Sequence, residues 1–203
     1  LIKRGIQVNS AAGKRVLQQQ EVHDLLALTR VLADSRDTAA LGALLRGPLV
    51  GATDQELLEA AEQHTAHTGE WALTRESSVD HLSAGVIRTA LERVHELVAL
   101  VPNTTPEQVL RRASTLFEMP VILRDRLGEH GYSRGMANLE WVFQYARDFA
   151  AQGIPAFARA FMMRWQRGDD ESEPGNDAAR STVQIVTMHR AKGLEWPVVI
   201  PIS

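Results

Sequence analysis

TVQIVTMHRAKGLEWPVVIPIS, residues 182–203, sets two apolar runs around a tight cluster of His189, Arg190, Lys192, Gly193 and Glu195. In the first run Val183, Ile185 and Thr187 fall on one face, and Gln184, Val186 and Met188 on the other, a period of two. β-Branched residues in such a run predict a strand, of a sheet covered on both sides. PVVIPI predicts a second strand, with Pro197 where a strand can open. A bare turn between them needs a glycine and a polar residue. It does not need His189, Arg190, Lys192 and Glu195 packed so closely, so the cluster reads as a site. In open α/β sheets ligands bind beyond the carboxyl ends of strands, and Thr187 to Glu195 occupies that place.

Upstream, GDDESEPGNDAARS at 168–181 breaks every pattern. Its carboxylates, Gly, Pro, Ser and Asn cannot bury a face and predict a solvated acidic linker. Before it the chain reads as helix after helix. QEVHDLLALTRVLAD, 20–34, puts Val22, Leu25, Leu26, Leu28, Thr29 and Leu32 on one stripe. A second helix starts at the cap Asp37, runs through Leu41, Leu44 and Leu45, and stops at Gly47–Pro48. Thr53 and Glu56 have the spacing of a capping box ahead of Leu57 and Leu58. SVDHLSAGVIRTALERVHELVALV, 78–101, is the most periodic stretch, with Val79, Leu82, Val86, Ala90, Leu91, Val94, Leu97 and Val98 on one side and Pro102 as the stop. Thr105 caps the next helix with Pro106 at its first position. A short helix then runs from Pro120 to Leu127 before Gly128, and the segments 133–153 and 154–168 form a pair hinged at Gly153.

The 203 residues are 44% hydrophobic and 23% charged, with a net charge of −3 and no cysteine. That length allows one large domain or two small ones. A local cationic groove can hide in an acidic total, so nucleic acid is not excluded. The missing cysteines rule out disulfides and thiolate metal sites, which fits a reducing cytosolic setting. No apolar run approaches the roughly 20 residues that span a bilayer. LIKRGIQVNS has no initiator Met and no signal-like apolar stretch, and it reads as a helix tail passing through Gly5 into a short strand. An excised piece of a longer chain is therefore expected.

Other candidates are weaker. Gly13–Lys14 is not a phosphate-binding loop, because the spacing to Gly5 is too long and Arg15 stands where a magnesium-binding hydroxyl belongs. His64 and His67 lie three apart on a helix end, but no third ligand is assigned beside them; they read as exposed polar residues, and no metal site is expected. Trp141, Phe143, Tyr145, Phe149, Phe157, Phe161 and Trp165 have the spacing of core packing, though a base-stacking strip uses the same residue types. The turn RGPLVGATDQE, 46–56, is either an ordinary αα turn or a place where the capped helix offers amides to a DNA phosphate.

VQIVTMHRAKGLEWPVV resembles motif V of superfamily 1A DNA helicases, the UvrD/Rep/PcrA group, whose pattern is T-x-H-x-x-K-G-L-E-[FW]-x-x-V. Thr187, His189, Lys192, Gly193, Leu194, Glu195, Trp196 and Val199 meet every fixed position. GIQV at the start is similar to the family's entry after motif IV. EVHDLLALTRVL and PLVGATDQELL lean toward the AddA/RecB-type helicase–nuclease branch.

The resemblance implies a mainly α chain, a helical 2B-type insertion bracketed by partial α/β elements of a RecA-like, P-loop NTPase domain. Its boundaries are a 2A stub at 1–18, the 2B-type block at 19–167, the acidic linker at 168–181 and the return to 2A with motif V at 182–203. By the same resemblance Thr187, His189, Arg190 and Lys192 are DNA-binding residues, Lys192 either beside phosphate or ordering the loop. Gly193 and Glu195 are nucleotide-binding, Glu195 toward the ribose. Gly51 and Thr53 are the candidate duplex contacts, although Val50-Gly51-Ala52 replaces the family's usual Gly-Ile-Gly.

The implied function is an ATP-dependent 3′-to-5′ DNA helicase of repair or recombination, in which the helical block contacts duplex DNA or regulates the motor. ATP and Mg2+ belong to the full-length parent. The chain alone lacks Walker A, Walker B and the motif VI arginine, so it is expected to be inactive and to bind no cofactor. Expected partners are single-stranded and duplex DNA and a second helicase–nuclease subunit, in the bacterial cytoplasm at the nucleoid, with no membrane. The competing expectation is a non-catalytic helical protein-interaction module.

Overall fold

The computed structural model describes residues 8–10, 16–167, 183–185 and 198–200. Among these, strand β1 (Val8–Ser10) is followed by a 3-10 turn at Val16–Gln18 and seven α-helices. The helices are α1 (Gln20–Ala33), α2 (Thr38–Arg46), α3 (Asp54–Thr68), α4 (Val86–Leu100), α5 (Pro106–Leu116), α6 (Met119–Arg147) and α7 (Gly153–Arg167), and β2 (Val183–Ile185) comes last. The mainly α expectation holds. β1 and β2 pair in parallel, Val8 opposite Val183 and Ser10 opposite Ile185. Parallel neighbours require a crossover, and here the entire helical block lies between them. The expected acidic linker, 168–181, lies outside the described residues.

α1 is the centre. It buries Val22, Leu25, Leu26, Leu28, Val31 and Leu32, together with Thr29, whose hydroxyl donates to the Leu25 carbonyl at 2.6 Å. A helix apolar on so much of its circumference must be surrounded, and α2, α6, α7 and α4 pack around it. The corner into α2 is set by one side chain. Asp37 accepts the Ala40 amide at 2.9 Å as cap, and Arg30 donates to both its carboxyl oxygens at 2.7 and 2.9 Å. His23 closes the other end, its Nε2 lying 2.8 Å from the Leu17 carbonyl. That nitrogen therefore carries the proton, and the Trp165 indole 3.2 Å away meets it as an edge contact rather than as a donor to a lone pair.

The capping box at α3 forms as its spacing requires, and Thr105 with Gln108 makes a second one beside Pro106 at α5. α6 breaks at Gly128 (φ 63°, ψ 178°), where the sequence placed a stop. Beyond the break the helix returns close enough that a Cβ on Gly135 would stand 2.9 Å from Leu127 and 3.2 Å from Leu123. A side chain there would have to push the leucine tips aside. Phe157, Phe161 and Phe143 are buried, and Tyr145 meets the Phe149, Phe157 and Phe161 rings edge-on. Most of the aromatic series is core packing: Trp141, Tyr145 and Phe149 lie partly buried against these phenylalanines, while Trp165 is exposed. Each fully buried ring contributes about 1.5–3 kcal/mol.

Two expectations are corrected. α4 begins at Val86, not near Ser78. Residues 79–82 form a turn (Leu82 amide to Val79 carbonyl, 3.1 Å), the Ser83 amide is taken by Gln63 at 2.7 Å, and Gly85 is fully extended. Leu82 is still buried and Val79 packs on the core, so turn residues produced the spacing that imitates a helix. The second strand is also absent among the described residues. Val198, Val199 and Ile200 are in no strand and are 76%, 68% and 78% exposed. A strand exists only by hydrogen bonding to a neighbour, and none of the described residues pairs with this run.

Charge is handled in two opposite ways. On the surface between α5 and α6, Glu107 accepts from Arg111 and from Arg147 at 2.8–2.9 Å, and Arg111 grips Glu140 through two bonds of 3.0 and 2.7 Å. Hydrogen bonds from Arg147 and Arg111 hold the Glu107 pKa down to about 2. Asp24 has no such ion pair among the described residues. It is 6% exposed on α1, bonded by Gln20 at 2.8 Å, and burial raises its pKa to about 6. It also lies against the C-terminal end of α2, since a Cβ on Gly47 would stand 3.3 Å from its Oδ1. The partial negative charge there opposes a carboxylate.

A raised carboxyl pKa favours the folded chain while the group is protonated. That advantage is complete below the unfolded value of 3.8 and is lost as pH rises through about 6. In urea titrations from pH 4 to 7 the wild type should lose about 1–3 kcal/mol of stability from this group. Asp24→Asn should lose none of it and be the more stable protein at pH 7.

Candidate nucleic-acid interface

The turn from Arg46 to Asp54 joins α2 to α3 and presents Gly51 and Thr53 to solvent. Its shape follows from internal bonds. The Gly51 amide reaches the Gly47 carbonyl at 2.8 Å, and the Ala52 amide returns to the Leu45 carbonyl at 2.9 Å. Gly51 adopts φ 72°, a left-handed conformation that suits glycine. Leu49 and Ala52 point inward and anchor the turn.

The Thr53 amide and hydroxyl both donate to Glu56 at 2.8 Å, and the Glu56 amide returns to the Thr53 hydroxyl at 3.2 Å. Those bonds hold the Glu56 carboxyl below its ordinary pKa, so it is charged at neutral pH. Arg46 pairs with Asp54 in front of it. The amides of Asp54 and Gln55 precede the first bonds of α3 and are the donors a phosphate could meet there. Next to the turn a groove of about 360 Å³ runs between Leu49 and Val50 on one side and Gly85, Val86, Thr89, Ala90 and Arg93 on the other. Arg93 lies 5.6 Å above the Phe117 ring and 3.5 Å from Glu118. The chemistry of this face is mixed, with arginines and carboxylates interleaved.

Thr187, His189, Arg190, Lys192, Gly193 and Glu195 lie outside the described residues. What is described is the approach to them, a strand whose carboxyl end at Ile185 is followed in sequence by Val186 and Thr187. Through the parallel ladder that end lies beside Ser10 of β1.

The histidine expectation needs correcting. His64 is buried, 3% exposed, and not a surface residue. Its Nδ1 is 3.1 Å from Nε2 of His81, while His67 stacks on the same ring. His81 sits in the irregular stretch 69–85, and no local spacing could link it to α3. Arg75 in that stretch was equally invisible. It donates to the Val31 and Leu32 carbonyls at the end of α1, which straps the stretch down. Among the described residues no group of three His, Asp or Glu could hold a metal ion, and no helix is long and apolar enough to cross a membrane.

A family profile described as UvrD-like helicase C-terminal domain matches residues 1–203. The chain belongs to that family. Relatives are similar to it at low identity. DNA helicase II of Salmonella typhimurium is 27% identical over 195 residues, which cover 91% of this chain and 26% of the relative. DNA helicase II of Escherichia coli matches at the same 27%, over 91% of this chain and 26% of its own length. An ATP-dependent helicase/nuclease subunit of Leuconostoc mesenteroides is 25% identical over 199 residues, 96% of this chain and 16% of the relative. The chain thus spans about a quarter of the helicase II proteins and less of the helicase/nuclease protein. Both branches toward which the sequence pointed are represented.

Thr53→Ala removes the cap of α3 and should cost about 1 kcal/mol in urea unfolding, while Thr53→Ser keeps the hydroxyl and should cost a few tenths. Equal losses in both would show that the box does not hold the helix.

Proposed function

We propose that this chain is the 2B-type portion, with flanking pieces of RecA-like domain 2A, of an ATP-dependent 3′-to-5′ DNA translocase acting in repair or recombination. The observation that carries the reading is the family match along 1–203 combined with the complete Thr187 to Glu195 pattern after a strand that pairs in parallel with β1. In this reading 1–18 and 182–203 belong to one α/β sheet, 19–167 is the insertion and 168–181 the linker. The exposed apolar run Val198–Ile200 is the surface that further strands of that sheet would cover.

Thr187 and His189 hydrogen-bond the phosphate or sugar of single-stranded DNA without reading sequence, with Arg190 and Lys192 adding charge. Glu195 accepts from the ribose hydroxyls of ATP, and Gly193 lets the backbone come close. Nucleotide and DNA contacts on one loop give hydrolysis a direct path to strand movement. Walker A, Walker B and the motif VI arginine are supplied elsewhere in the longer protein, so ATP and Mg2+ act there and the 203-residue chain turns over no ATP. The turn at Gly51 and Thr53 is the duplex contact. A second protein of helicase–nuclease type and a place at the nucleoid belong to the same reading.

In the ATPase-bearing protein, His189→Ala should leave basal hydrolysis in place and cut its stimulation by single-stranded DNA at least tenfold. Unchanged stimulation refutes the assignment of this loop. The helical block is tested by titrating the chain with forked DNA at several salt concentrations. Affinity should fall linearly in log–log form as salt rises. No binding at low salt would favour the non-catalytic protein-interaction module instead, a reading suited to the exposed Trp71 and Leu58.

A further inference from the structure

Three imidazoles meet where α3 packs against residues 69–85. Nδ1 of buried His64 and Nε2 of His81 are 3.1 Å apart, and the two rings tilt by 32°. The exposed ring of His67 lies flat against that of His81, with centroids 4.6 Å apart and planes 7° from parallel. Nδ1 of His81 is itself buried and has no hydrogen-bond partner among the described residues. Stacked rings direct their lone pairs along parallel planes, so His67 and His81 do not converge on one ion, and a metal is not the explanation.

The orphaned nitrogen settles the tautomer. If His64 donated, the proton of neutral His81 would sit on Nδ1, a buried donor with nothing to receive it. If His81 donates from Nε2, its Nδ1 is a bare lone pair, the less costly orphan. The clasp is therefore His81 Nε2–H to His64 Nδ1, with both rings neutral. Acid has no harmless place to put a proton here. A proton added to His81 goes to its buried Nδ1, where no described residue accepts it, and that cost is relieved only when the stretch opens to water.

We propose that the His64–His81 bond is an acid-sensitive latch that clasps residues 69–85 to α3 at neutral pH and releases them when His81 is protonated. Charged and titratable neighbours act in both directions. From α3 the groups facing His81 are His64 and His67. From its own stretch Asp80, held by the Ser78 hydroxyl at 3.2 Å, is the carboxylate that favours the cation. From α4 comes Arg88, which donates to the Leu82 carbonyl at 3.1 Å and to Glu92 at 3.0 Å. From α1 the contact is through backbone carbonyls to Arg75, which also pairs with Glu76. Burial first, and then the two neighbouring imidazoles, hold the His81 pKa below the ordinary 6.5, with Asp80 opposing. A histidine whose folded pKa is depressed leaves the clasped state unpenalised above 6.5, and that state loses stability as pH falls through this value.

Release has a defined consequence on the surface. Leu82 to Gly85 wall a second groove against Glu56, Glu59, Ala60 and Gln63 of α3, and Gly85 also lines the groove beside Leu49 and Val50. Freed residues 69–85 would reshape both grooves and carry the exposed Trp71 with them. The latch does not depend on whether this face meets DNA.

Amide hydrogen exchange on the 203-residue chain at about pH 5.5 and 7.5, corrected for intrinsic rates, tests it. The amides of Ser77, Leu82 and Ser83 should lose protection as pH falls below 6.5, by at most about tenfold per pH unit, while α1 keeps its own. In His81→Gln, whose side-chain amide can donate to His64 without titrating, that pH dependence should vanish. His67→Asn, an exposed change that removes one competing cation, should shift the midpoint upward, and it carries the test if His81→Gln does not fold. The latch is refuted if residues 69–85 exchange alike at both pH values, or if α1 loses protection in parallel. It is equally refuted if the pH dependence persists in His81→Gln or the midpoint stays in place in His67→Asn.

Discussion

Helix α1 has almost no side left for water. With Val22, Leu25, Leu28, Val31 and Leu32 each 2% exposed or less, it must be enclosed, and every other part of the helical block is arranged to do so. α2 folds back along it through the Asp37 corner, α6 and α7 cover it from farther along the chain, and Arg75 stitches the irregular stretch 69–85 to its last carbonyls. This is the constraint on which the remainder rests, because a short amphipathic helix is marginal by itself and is held by the partner that buries its face.

The same enclosure explains the unusual polar groups. Glu21 and Asp24 project from α1 into the packed layer, where Asn138 of α6 bonds Glu21 at 2.8 Å and Gln20 bonds Asp24 at 2.8 Å. Among the described residues neither acid has a cation at bonding distance, and buried Asp24 rises toward protonation. Glu107, half-buried between α5 and α6, collects two arginines and is driven the other way. Burial and pairing act on one functional group with opposite sign, and their balance differs between the inner and outer helix layers.

The candidate interface occupies the outer layer, at the ends of helices and not along them. The α2–α3 turn, the start of α4 and the stretch clasped by His81 share the walls of the neighbouring grooves. Their backbone polarity is mostly satisfied internally, by Glu56 at Thr53, by Gln63 at Ser83 and by Arg88 at Leu82. Side chains and a few first-turn amides are what this face has to offer a polyanion, and its carboxylates set the geometry any such partner must respect.

Sequence alone determined the parts whose causes lie within one turn or one motif. The caps at Asp37, Thr53 and Thr105, the breaks at Gly128 and Gly153, the strand at Val183 and the helicase pattern from Thr187 to Glu195 were all legible, because each rests on neighbours three or four positions away or on a fixed spacing. Tertiary structure alone decided the rest. It turned Val79 and Leu82 into a buried turn instead of helix, left Val198–Ile200 without a pairing strand among the described residues, and sank His64 under a histidine seventeen residues later. Those outcomes depend on which surfaces meet after the chain has crossed itself. Local periodicity carries no information about that, because a residue's burial is settled by its partner and not by its neighbours.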